Sequence, residues 1–163
     1  MTTIGKYRQA CAKHGVSPDF ENYRSGHAHG VQNFCQPVQG FNYGRGGGTY
    51  QGVCPVDLAA GFVAAYNDGR HFYDLESAVR STDAQIAQRK RSLANINDAL
   101  TQSEAALIRE GSSAEERLTL LAETKELARQ HGVIEAEIVE LERGRVLHAQ
   151  ALAEYRSALA YVF

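Results

Sequence analysis

From Phe72 onward the sequence carries a hydrophobic spacing that leaves few choices of fold. Phe72, Leu75, Val79, Thr82, Ile86, Arg89, Leu93, Ile96, Leu100, Ser103 and Leu107 follow one another in strict alternation of three and four residues. That is the a/d seam of a coiled coil, with Thr82, Arg89 and Ser103 as polar interruptions. The seam stops at Arg109-Glu110-Gly111-Ser112-Ser113. Gly111 suits the left-handed position just past a helix end. Ser113 followed by Glu116 has the spacing of a capping box and predicts a new helix start. Beyond it Leu120, Leu127, Ile134, Leu141, His148, Tyr155 and Val162 recur every seven residues, with Thr124, His131, Ile138, Arg145, Leu152 and Leu159 between them.

Two periodic stretches joined by so short a connection predict antiparallel neighbours. Equal rise in both helices puts Ile86 level with Ile138, and the basic run Arg89-Lys90-Arg91 level with Glu135 and Glu137. The expected class is therefore mainly α, in two parts. Residues 1–55 form a Gly/Tyr/Cys-rich head, and residues 56–163 an antiparallel two-helix coiled-coil hairpin that turns near 110–113. The first long helix should open at Cys54-Pro55-Val56-Asp57, with Pro55 in an N1-like position. Gly61 and Gly69 invite a kink or a break in it. The hairpin's flanks read as mostly Glu, Arg, Gln and Ala, which suits a solvated rod. The competing reading is self-association into a four-helix bundle or packing on a partner helix.

The head has a different texture. An aromatic residue followed three positions later by glycine occurs at Tyr23/Gly26, Phe41/Gly44 and Tyr66/Gly69. On a helix this spacing puts ring and glycine on one face. The glycine lets another backbone approach, and the ring covers the neighbouring gap. A short helix is expected from Asp19 to about Phe34, and a glycine-rich loop from Gln39 to Gly52. All three cysteines, Cys11, Cys35 and Cys54, lie here.

The near-neutral balance, a formal charge of -2, argues against bulk nucleic-acid affinity. No stretch is long and apolar enough for a transmembrane segment. Gly44-Arg45-Gly46-Gly47-Gly48-Thr49 lacks the Lys-Ser/Thr ending and the βαβ surroundings of a phosphate loop, and a single Arg-Gly-Gly is too little for an RNA-binding tract. It reads as a tightly turned or flexible loop. No catalytic residues and no cofactor emerge from the motifs, and an enzyme is not expected. A metal site is the sharper alternative, with Cys11-x-x-His14, His27 and His29 as its donors.

Several short runs then combine: Ala10-Cys11-Ala12-Lys13-His14-Gly15-Val16, Pro18-Asp19, Tyr23-x-x-Gly26-x-x-x-Gly30, Phe34-Cys35, Gly40-Phe41-x-x-Gly44, Tyr50-x-Gly52-Val53-Cys54-Pro55 and Phe62-x-x-x-Tyr66-x-x-Gly69-Arg70. In that order they resemble an uncharacterised family of Gram-negative bacterial envelope proteins known only as a domain of unknown function. The resemblance spans roughly Gly5 to Tyr73. It implies a secreted protein or lipoprotein, in the periplasm or associated with the outer membrane, often ending in a coiled coil. Family members carry a further Gly-rich repeat and a further cysteine upstream, which implies that this chain is shortened at its N-terminus. It brings no catalytic residues. In an oxidising compartment three cysteines give one disulfide and one leftover thiol. Of the three pairings, Cys35 with Cys54 is expected, because the glycine-rich loop between them closes easily. Cys11 is then the thiol whose upstream partner is missing. The expected function is a non-enzymatic envelope interaction or structural module. Its partner is a protein or a second copy met through the hairpin.

Overall fold

The computed structural model describes residues 8, 10–17 and 19–159. It is all-α among them: residues 10–12 are helical, and the longer helices are α1 Phe20–Phe34, α2 Pro37–Arg45, α3 Val56–Leu107 and α4 Ala114–Leu159. The chain divides into two compact units, residues 1–73 and 74–163. The division falls within α3, which supplies its first turns to one unit and the rest to the other. Val162 and Phe163, at the end of the expected seam, lie outside the described residues.

In the second unit α3 and α4 are the two long packed helices of a hairpin. The turn is built as the spacing predicts. Gly111 adopts φ 89°. The Ser113 N–H donates to Glu116 Oε2 at 2.8 Å, and the Glu116 N–H donates to Ser113 Oγ at 3.2 Å. These reciprocal bonds satisfy two orphan donors of α4. The Ser113 backbone N–H, and after it the Ser113 hydroxyl, hold the Glu116 carboxyl below its ordinary range.

The register is marked by ion pairs. Arg89 Nε lies 3.0 Å from Glu137 Oε2, Lys90 Nζ 2.9 Å from Glu142 Oε1, and Arg145 Nε 2.9 Å from Asp83 Oδ1. Arg89 thus meets the acidic residue level with it. The other two pairs sit within about one to two helical turns of the expected alignment, which long side chains can span. All of these groups are roughly half exposed, and such pairs are worth only about 0.2–1 kcal/mol each. They fix alignment more than they add stability.

The seam itself is narrow. Its leucines and isoleucines are mostly half-buried, and in this unit Ile138 is the one buried apolar residue among those described. Thr82, 7% exposed, returns its hydroxyl to the Ala78 carbonyl at 2.9 Å. Thr124 does the same to Leu120 at 2.8 Å. These bonds let polar residues occupy the seam without an unpaired hydroxyl. His131 is half-buried beside Glu135, whereas Arg145 and His148 are exposed. The expected break does not occur: α3 runs unbroken through Gly61 and Gly69. The flanks are also less polar than expected. Leu118, Leu121, Val133, Val139, Val146 and Leu147 of α4 are all 44% exposed or more.

One exposed cluster on α4 gives a pH signature. The Arg129 guanidinium, with the Gln130 amide, holds the Glu126 carboxyl at about 2, against an ordinary 4.5. A carboxylate whose pKa is depressed by folding contributes stability that is present above its unfolded value and lost as pH falls through the folded one. The melting-temperature gap between the native chain and Glu126→Gln should therefore be constant above pH about 4.5 and close as the pH drops towards about 2. Circular dichroism melts across that range test it, and a gap independent of pH would remove the assignment.

Candidate binding surface

The first unit is organised by glycine. α1 starts at Asp19, whose Oδ1 accepts the N–H groups of Glu21 and Asn22 at 3.0 and 3.1 Å. It ends before Cys35. Then comes a correction: the span Gln39 to Gly52, expected as loop, opens as helix. α2 begins with Pro37 at its first position and runs to Arg45. Only the remainder is loop, entered through Gly47 at φ 78° with the Gly48 N–H donating to the Tyr43 carbonyl at 3.0 Å. Gly40 and Gly44 lower the helix propensity of α2 by about 1 kcal/mol each. They are tolerated because they are where α2 meets α3.

That meeting is reciprocal. A Cβ added at Gly44 would land on the Tyr66 carbonyl oxygen and 2.8 Å from the Arg70 nitrogen. One added at Gly69 would land on the Phe41 carbonyl oxygen and 2.8 Å from the Arg45 nitrogen. Gly40 takes the Phe62 carbonyl in the same way. Gly40 matches Phe62 and Gly44 matches Tyr66, so the two helices run in the same direction at this crossing. Backbones this close bring Cα–H groups onto carbonyls and leave no room for a methyl group.

Two helices running the same way need a connection that returns to the start, and residues 46–55 provide it. A disulfide closes the circuit: Cys35, just before α2, is bonded to Cys54, just before α3, with Cα atoms 5.6 Å apart. Both helices are stapled at their N-terminal ends. Cys11 is a free, half-buried thiol.

Tyrosines pin the returning loop. The Tyr66 hydroxyl donates to the Gly48 carbonyl at 3.0 Å and accepts from the Tyr50 N–H at 3.4 Å. The Tyr50 hydroxyl accepts from the Cys54 N–H at 3.1 Å, and the Tyr43 hydroxyl donates to the Thr49 carbonyl at 3.2 Å. Three rings gather on Phe62, which is fully buried: Tyr50 at 4.9 Å, Phe34 at 5.0 Å and Tyr66 at 6.4 Å between centroids. Arg45 lies 4.6 Å over the Phe72 ring and Arg70 5.0 Å over Tyr73.

Between this cluster and solvent lies a shallow cleft of about 190 Å³, lined by Phe34, Tyr43, Thr49, Tyr50, Gln51 and Val53. Tyr43 is 38% exposed and Val53 56%. Three rings, an aliphatic edge and the backbone of a pinned loop suit an apolar or aromatic side chain presented by a peptide.

The other sequence candidates fall elsewhere. Tyr23 and Gly26 lie on α1, where nothing comes within 4 Å of a Cβ built on Gly26. His27 and His29 are exposed on α1, two residues apart and so on different faces. His14 is exposed in the turn after Cys11, its N–H donating to the Cys11 carbonyl at 3.0 Å. Among the described residues no group of three or more His, Cys, Asp or Glu is placed to hold a metal ion.

Reasoning from sequence missed the tyrosine hydroxyls and a longer form of the repeat. Phe41-Asn42-Tyr43-Gly44-Arg45 and Tyr66-Asn67-Asp68-Gly69-Arg70 share aromatic, Asn, Gly and Arg at the same spacing. That shared frame was the available signal that these two segments are partners. No curated protein and no solved structure matches this chain. Residues 1–71 match the family described as "Protein of unknown function (DUF2799)".

Proposed function

We propose that the chain is a non-enzymatic interaction or structural module of the bacterial cell envelope. The head is its recognition surface and the hairpin its spacer or docking arm. The observation that carries this reading is the Cys35–Cys54 bridge, whose cysteines directly follow Phe34 and Val53 of the aromatic cleft. Such bridges persist in oxidising compartments such as the periplasm. Here the bridge closes the loop whose residues form one wall of the cleft, so presentation of that surface depends on oxidation.

Two measurements test it. Alkylation under denaturing conditions, read by mass spectrometry on protein isolated from its native host, should modify one cysteine before reduction and all three after it. Modification of all three without reductant would remove the envelope assignment. The full chain should also retain an envelope protein from a solubilised cell-envelope extract, and Tyr43→Ala with Val53→Ser should weaken that retention at least about tenfold, the loss of two apolar contacts worth about 1.4 kcal/mol. A strict monomer that retains nothing would overturn the interaction reading.

A further inference from the structure

The cleft has two sides, and the disulfide joins them. Phe34 on one side is followed by Cys35, and Val53 on the other by Cys54. The two cysteines are not held alike. The Cys35 N–H donates to the Val31 carbonyl at 2.8 Å, which fixes this half of the bridge to the end of α1. Cys54 sits on the returning loop, and its N–H donates to the Tyr50 hydroxyl at 3.1 Å. Gln51, Gly52 and Val53 are exposed, and among the described residues none makes a hydrogen bond to them. The stretch that brings Gln51 and Val53 to the cleft is therefore tethered, between Tyr50 and the start of α3, by that one hydrogen bond and by the bridge.

The bridge is also one-sided towards solvent. Cys35 is 1% exposed, whereas Cys54 is half-buried. Thiol–disulfide exchange begins with a thiolate touching the sulfur it attacks, so access decides which sulfur is taken. A reagent in solution meets Cys54 and not Cys35.

We infer that the bridge is a redox latch on the cleft, released by a dithiol that attacks Cys54. The thiolate of the dithiol bonds to Cys54 Sγ. The Cys35–Cys54 bond breaks, and Cys35 Sγ leaves with the electron pair and takes up a proton. The second thiol of the dithiol then attacks the sulfur joined to Cys54, so Cys54 is released as a thiol and the dithiol ends as a disulfide. The chain gains two electrons and two protons, and the dithiol loses them. Cys35 stays at the end of α1 while residues 51–54 lift, and Gln51 and Val53 leave the cleft with them. Re-oxidation returns them. This deepens the proposed function by giving the cleft a control, and it rests on that reading for the use to which the cleft is put.

The test uses the full, folded chain with Cys11→Ser, which removes the leftover thiol. Exposed to glutathione and quenched in acid, it should carry the mixed disulfide on Cys54 at least about tenfold more often than on Cys35, read by peptide mass spectrometry. Dithiothreitol should raise chymotryptic cleavage after Tyr50 at least about tenfold, and re-oxidation should restore protection. The same chain with Cys35→Ser and Cys54→Ser should be cut at the fast rate with or without dithiothreitol. An even split of glutathione between the two cysteines, or a bridge that exchanges only in urea, would overturn the assignment of Cys54. Cleavage after Tyr50 that ignores the state of the bridge would overturn the latch. Neither readout involves a partner, so both stand whatever the envelope extract retains.

Discussion

Gly44→Ala and Gly69→Ala should each loosen the head by on the order of 3 kcal/mol, among the largest effects expected of any single methyl group in this protein. The new Cβ meets a backbone carbonyl in both cases, Tyr66 for the first and Phe41 for the second. No side chain can rotate away to relieve it. The helices must separate, which opens the ring cluster around Phe62 and pulls the loop from its tyrosine hydroxyls. The controls are Gly26→Ala and Gly132→Ala, where the added carbon meets nothing within 4 Å. In dilute protein these should be neutral or stabilise by up to about 1 kcal/mol through helix propensity. Tyrosine fluorescence during urea unfolding reports the difference. The chain has no Trp, and six of its eight tyrosines lie within residues 1–73. If the two pairs of substitutions shifted the midpoint alike, the close crossing would be refuted.

Reduction of Cys35–Cys54 should cost the head about 3 kcal/mol, the chain-entropy value for a bridge spanning 19 residues. The effect should be local and severe. α2 has nine residues, too few to stay helical without tertiary support. Its partners are reached only through the returning loop that the bridge closes. Urea midpoints read by tyrosine fluorescence should fall on reduction, and fall equally in a Cys35→Ser, Cys54→Ser chain. The helicity of the 74–163 unit should hardly change. An unaltered midpoint after verified reduction would show that glycine packing alone holds the head.

The hairpin was legible in the sequence because its determinants are local. Seven-residue spacing, a glycine at the turn and Ser113-x-x-Glu116 each act within a few residues. The single bridge followed from the oxidising compartment that the family resemblance implies, with Cys35 and Cys54 chosen for the closing power of the glycine-rich loop between them. The span from Gln39 to Arg45 was not legible, because its glycines speak against a helix and only the crossing with α3 overrides them. For the same reason Gly61 and Gly69 do not break α3. Gly69 is occupied by the Phe41 carbonyl, and the Cβ position of Gly61 lies 3.4 Å from the Pro37 ring. The tyrosine bonds were hidden too, since Tyr66 and Gly48 are 18 residues apart and no periodicity links them.

The reciprocal crossing has a bearing on how such a chain can vary over generations. Each helix lends its partner a carbonyl and borrows a gap in return, so a gain of bulk on one side finds no matching trim on the other. Neither glycine can be rescued by a compensating change across the contact, because what opposes it is main chain, which mutation cannot shorten. The two positions are therefore locked independently of each other.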